Sequence, residues 1–119
     1  MTYETRFLAA LGVTIVSETA VLLALVRWLY RLTGADLPTR YCLGAGILAS
    51  VATLPYLWFI LPALIWAYLP RTILGEVGIV LIESIIYVLI LRLPMGRALV
   101  ASVIANTVSF TLGLIALPW

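Results

Sequence analysis

Apolar runs long enough to cross a bilayer, separated by short links, occupy nearly the whole chain. A transmembrane helix needs about 20 mostly apolar residues, and four such runs lie over residues 7–30, 41–61, 72–92 and 97–117. The first is interrupted chiefly by Ser17, Glu18 and Arg27. It is too long for a signal-peptide core and carries an acid in its middle, so it reads as a retained helix. Arg31 to Arg40 (R-L-T-G-A-D-L-P-T-R) is a polar loop with Gly34 and Pro38 as turn residues. Residues 62–70 are apolar but bounded by Pro62 and Pro70, and they carry Trp66 and Tyr68. Aromatic residues favour the headgroup level, which predicts a segment lying along the interface, with Tyr56, Trp58 and Phe59 as further anchors. The link Leu93-Pro94-Met95-Gly96 is so short that the last two helices must be antiparallel neighbours. The predicted fold is an all-α integral membrane protein, a single membrane domain over residues 1–119 with four transmembrane helices.

Composition sharpens this picture. Of 119 residues, 65% are hydrophobic and 10% are charged, against about 25% charged in an ordinary soluble domain. Seven Arg and five acids, with no Lys and no His, cannot wet the surface of a soluble monomer. The lack of His removes imidazole metal sites and His-based proton shuttles, and the lone Cys42 cannot form an internal disulfide. A net charge of +2 without a basic cluster speaks against nucleic-acid binding. No phosphate-binding loop, paired-cysteine motif or lipid-attachment signal is present. Neither a cofactor nor a metal is expected.

The chain also resembles itself. Glu18 to Arg27 (E-T-A-V-L-L-A-L-V-R) matches Glu83 to Arg92 (E-S-I-I-Y-V-L-I-L-R), each with a Glu, then a hydroxyl residue, then an Arg nine positions after the Glu. Ile47 to Pro62 lies over Val103 to Pro118, pairing Ala45 with Ala101, Ala49 with Ala105, Ser50 with Asn106 and Thr53 with Ser109. Matched polar positions are harder to obtain by chance than matched leucines. The register predicts two tandem helical hairpins, a parallel repeat about a pseudo-two-fold axis along the membrane normal.

Glu18 and Glu83 each fall about eleven residues into their spans, near the depth of Ser50, Thr53, Asn106 and Ser109. An ionised side chain at the centre of an isolated helix costs at least about 2.5–3.5 kcal/mol, so each Glu must face protein or water, or hold its proton. A protonated Glu can donate to Asn106 or Ser50. These six residues are the candidate polar centre and ion pathway. The plainer reading is that they only hydrogen-bond helices together, at about 0.6–2 kcal/mol each. Glu76 and Tyr87 share a helix face with Glu83. Glu76 reads foremost as a solvated residue near the start of its helix, favoured by the dipole; the sharper reading makes it part of a stripe leading inward. Ala101, Ala105, Ser109 and Gly113 form a small-residue ridge, echoed by Ala45, Ala49 and Thr53, which predicts close helix packing. Gly44 and Gly46 fit the same explanation.

From Ala49 onward, A-S-V-A-T-L-P-Y-L-W, the intramembrane Glu83, R-A-L and A-N-T-V-S-F followed by Gly113 carry a resemblance. Over roughly its last 70 residues the chain resembles a group of small multi-pass prokaryotic membrane proteins to which no activity is assigned. The resemblance implies a four-helix membrane fold and the same choice of polar positions. It also implies Asn where this chain has Ser50, so the two halves here are less alike than in that group.

Two function classes fit. One is a small translocation protein passing a proton or cation through the Glu18/Glu83 centre. The other is a non-catalytic accessory or structural subunit of a larger membrane complex. An enzyme is not expected, because no nucleophile–base pair exists and a dicarboxylate metal site would need more ligands. Four helices enclose little volume, so beside the lipid bilayer a homo-oligomer or a larger membrane partner is expected. The location expected is the cell membrane (inner or plasma). Arg27, Arg31, Arg40, Arg92 and Arg97 flank the first and third loops, against Arg6 and Arg71 at the other end. The positive-inside rule then places both termini outside the cytoplasm. A cysteine introduced at Asp36 is expected to react only with membrane-permeant reagents in intact cells; labelling by an impermeant reagent would reverse the topology.

Overall fold

The computed structural model describes residues 2–116, so Leu117 and Pro118, which the sequence places at the end of the last span and of the repeat, lie outside the described residues. Four helices long and apolar enough to cross a membrane are present: α1 (Tyr3–Leu29), α2 (Thr39–Leu64), α3 (Tyr68–Leu91) and α4 (Met95–Ala116). They alternate in direction, and each packs on two others: α1 on α2 and α4, α3 on α2 and α4. The bundle is 44 Å long, close to the 40–45 Å of a bilayer with its headgroup regions. Its outer surface is apolar, unlike that of a soluble protein, and a group of polar side chains lies inside. Ser17, Glu18, Ser50, Glu83, Ser102 and Asn106 are buried, while Leu8, Val16, Leu64, Leu89 and Ile115 point outward.

The helix ends follow from local chemistry. Thr2 caps α1, its Oγ1 accepting from the Thr5 N–H at 3.1 Å. The last turn of α1, Leu25–Leu29, is π-helical, and Arg31 turns the chain in the left-handed region at φ 57°. Arg27 then clasps the loop, donating to Leu32 O at 3.0 Å, Leu37 O at 2.8 Å and Thr39 Oγ1 at 3.1 Å. Asp36 accepts from the Thr33 N–H and hydroxyl, both at 3.0 Å, which holds its carboxyl below the usual aspartate range. Tyr30 ties this loop to α4 by donating to Arg97 O at 2.7 Å. Arg92, again left-handed at φ 56°, ends α3.

The segment expected along the interface at residues 62–70 is instead divided between two helices. Pro62 opens the last turn of α2, Leu61–Leu64, and Pro70 sits in the first turn of α3, where a missing N–H costs nothing. Only Ile65 to Ala67 is non-helical, with Trp66 fully in the open at 92% exposure. Pro55 lies inside α2, and the turn after it, Tyr56–Ile60, is π-helical. Pro62 offers no N–H to the Trp58 carbonyl four residues earlier; the Tyr3 hydroxyl donates to that carbonyl instead, at 2.5 Å. Tyr3 and Phe7 pack against Trp58 and Phe59 at 4.8–5.9 Å between centroids, tilted for Tyr3–Trp58 and edge-on for the other three pairs. Trp58 and Phe59 thus join α2 to α1 in addition to any anchoring they supply.

The half of the bundle toward the five arginines is a closed apolar core built on Leu22, Val26, Cys42, Tyr87, Leu91 and Ala98. Ala45, Ala49, Ala101 and Ala105 are fully buried between helices. The two neighbouring glycines differ. A Cβ on Gly44 would meet nothing within 4 Å, whereas one on Gly46 would fall on Thr19 Oγ1 and 3.2 Å from the Thr19 Cα. Gly46→Leu is therefore expected to lower stability by about 1–3 kcal/mol through overpacking, and Gly44→Leu by no more than about 0.5 kcal/mol. Thermal unfolding in mild detergent checks both; equal effects would misplace the α1–α2 contact.

Candidate functional site

Each of the four helices brings a polar group to the middle of the bundle. Glu18 on α1 and Glu83 on α3 are 1% and 0% exposed, and one stretch of α4 bonds both of them, Ser109 reaching Glu18 and Asn106 reaching Glu83. Two carboxylates buried near each other repel and lose their hydration, which favours a proton on at least one of them. Among the described residues, no arginine forms an ion pair with either Glu.

The surroundings of the two acids differ. Glu18 is held by hydroxyls: Ser50 Oγ lies 3.2 Å from its Oε2 and Ser109 Oγ lies 3.3 Å from its Oε1. Each hydroxyl also has a backbone acceptor in reach, Gly46 O at 2.9 Å and Asn106 O at 3.2 Å. A hydroxyl has one hydrogen and two lone pairs. Turned toward Glu18 it donates to a carboxylate; turned toward the backbone it accepts from a protonated carboxyl. The same oxygen framework can thus hold Glu18 with or without its proton. Glu83 is held by an amide. Asn106 Nδ2 donates to Glu83 Oε1 and to Ser102, at 2.8 Å from its carbonyl and 3.2 Å from its hydroxyl. Oε1 of Glu83 is thereby committed to accepting. Its Oε2 is buried with no hydrogen-bond partner, which leaves that oxygen for the proton of the pair.

Five of the six expected centre residues meet: Glu18, Glu83, Ser50, Asn106 and Ser109. Thr53 does not join them. Its hydroxyl donates to Ala49 O of its own helix at 2.7 Å, and its side chain lines a cavity instead. Ser102 is a member that the sequence reading passed over. It donates to Val80 O across the α3–α4 contact at 3.2 Å, and its position one turn before Asn106 was the available signal. Tyr87, one turn beyond Glu83, is 0% exposed and its hydroxyl has no partner. Behind it lies the closed apolar core.

On the opposite side of the centre a cavity of about 1050 Å³ extends from Tyr3, Arg6, Tyr68 and Arg71 at the end of the bundle to Glu18, Asn106 and Ser109 at its floor. This cavity is lined by residues of a single chain. The proline-broken end of α2 supplies one wall through Leu57, Trp58, Phe59 and Pro62. Glu76 stands half-buried on the wall between mouth and floor, so it faces the cavity rather than open solvent. Gly113 also borders the cavity, where a Cβ would meet nothing within 4 Å. Among the described residues no three His, Cys, Asp or Glu side chains are grouped to hold a metal ion. No family model, curated protein or solved structure matches the chain.

Proposed function

We propose that the protein is a small multi-pass protein of the cell membrane that binds a proton at the Glu18–Glu83 pair and passes it across the bilayer. The observation that carries this reading is the setting of Glu18: a buried acid that borders a cavity and is held by two hydroxyls that can reverse their hydrogen bonds. A group that must gain and lose a proton without rebuilding its surroundings needs such partners. A proton suits the donor set better than a metal cation, because hard divalent ions need six or more oxygen ligands. The arginine count puts the cavity on the non-cytoplasmic side. Passage to the other side then requires the apolar half around Tyr87 to open.

The tandem-hairpin arrangement belongs to this proposal. The Glu18–Ser50 and Glu83–Asn106 contacts fall on the same register of the repeat, and α1 packs on α4 as α3 packs on α2. A likeness to the small prokaryotic membrane proteins noted above is part of the same reading, as is a homo-oligomer or larger partner. The closed half gives one observation to the alternative, an accessory subunit whose polar centre only locks the fold.

Replacing Glu by Gln keeps shape and hydrogen bonding but removes the titratable proton. Purified protein in liposomes is expected to carry protons down an imposed gradient. Glu18→Gln and Glu83→Gln should each reduce that flux to the level of empty liposomes while melting temperature changes little. Flux retained by the double variant, or absent from the parent, would leave the accessory reading.

A further inference from the structure

The cavity above the carboxyl pair is far larger than access for a proton requires. Its volume of about 1050 Å³ corresponds to roughly 35 water molecules at about 30 Å³ each. It matches the upper range of pockets that enclose drug-sized organic ligands, about 300–1,000 Å³. A file of single waters would serve a proton equally well. The shape of the polarity is also that of a ligand site. Tyr3, Trp58, Phe59, Tyr68 and Phe110 line the walls, while Glu18, Asn106 and Ser109 sit together at the floor.

We infer that this cavity binds an amphipathic organic cation, its charge at Glu18 and Glu76 and its apolar body against the aromatic wall, in competition with a proton on Glu18. The inference rests on the proposed reading of the Glu18–Glu83 pair as a proton centre. The charged groups facing the cavity are Glu18 and Arg6 from α1 and Glu76 and Arg71 from α3, with none from α2 or α4. Glu83 and Tyr87 stand behind the floor. Arg6 is twelve residues from Glu18, about 18 Å along the helix, so the mouth is basic and the depth is acidic. A cation has its favourable site at the bottom, where no arginine answers the carboxyl groups. Aromatic faces attract organic cations, and burial of apolar ligand surface adds about 25 cal/mol per Å². A compact inorganic ion would use neither the walls nor the volume. Proton balance follows directly: a cation seated at Glu18 takes the place of a proton on that carboxyl, which is released to water, while Glu83 keeps its own.

The test uses two probes of the same shape and opposite charge, tetraphenylphosphonium and tetraphenylborate, with purified full-length protein in mild detergent and protein-free micelles subtracted. The phosphonium is expected to bind saturably and release a proton into weakly buffered solution. Its Kd should rise up to about tenfold for each unit of pH decrease, as one proton competes for the site. Glu18→Gln should weaken binding by about tenfold or more and abolish proton release. Because that variant touches the pair itself, Thr14→Trp supplies a second arm: it fills the cavity above the floor and should lose phosphonium binding while keeping its melting temperature. Preferential binding of the borate would assign the cavity to Arg6 and Arg71 and overturn the inference. Undiminished phosphonium binding by Thr14→Trp would do the same by placing the ligand elsewhere. A parent that carries protons in liposomes but binds neither probe overturns the ligand class and leaves the proton centre standing. Phosphonium binding without proton release, in a protein that carries no protons, overturns both.

Discussion

Two carboxyl groups pressed together in the middle of the bundle, with no arginine paired to them, constrain the structure around them. In hydrocarbon such groups are tolerated only when their polar atoms are satisfied and their charge is reduced. Ser50 from α2 and Asn106 and Ser109 from α4 supply hydrogen bonds to the two acids, and on the proposed reading a proton shared between Glu18 and Glu83 reduces their charge. Because each helix contributes, the polar centre also fixes the order and rotation of all four. The small residues follow from the same demand. Gly46 lets Thr19 approach to van der Waals distance, and the fully buried Ala49 and Ala105 sit one residue before Ser50 and Asn106.

The two halves of the bundle differ for a reason that lies in the backbone of α2. Toward the arginine-rich end its turns are regular and small-sided, and Cys42, Ala45 and Ala49 pack without gaps against Leu22 and Tyr87. Toward the other end Pro55 and Pro62 remove two backbone donors, a π-turn takes up the strain between them, and Tyr3 repairs one lost bond at the Trp58 carbonyl. This irregular stretch forms a wall of the cavity rather than a ridge of the core. Irregular backbone at membrane depth is tolerated where it lines a cavity or is buried in protein. On the proposed reading, the proton centre is reached from the half that holds the cavity.

Much of this architecture was legible in the residues. The four spans, the short last connection and the central depth of Glu18 and Glu83 follow from hydropathy and helix rise. So does the meeting of Ser50, Asn106 and Ser109, since polar side chains at one depth in lipid have only one another to bond. Other features were not legible because they depend on the rotation of helices about their axes. Gly44 and Gly46 look alike as letters, yet only one faces Thr19. Thr53 has the spacing of a centre residue but spends its hydroxyl on its own backbone. Residues 62–70 read as an interfacial strip because proline signals a break; Pro70 instead sits in the first turn of α3, where it costs no hydrogen bond, and the bond lost at Pro62 is replaced at the Trp58 carbonyl by the Tyr3 hydroxyl. The cavity left no mark in the sequence, being a space between irregular turns.

The central claim is that Glu18 and Glu83 share a proton in the resting protein. Infrared difference spectroscopy of the protein in lipid, across a pH titration and on exchange into heavy water, observes the C=O stretch of a protonated carboxyl directly. At neutral pH the parent is expected to show such a band, shifted by deuteration, and the band should vanish in the Glu18→Gln, Glu83→Gln double variant. A parent with no protonated-carboxyl band at neutral pH, both groups absorbing as carboxylates, would contradict the account.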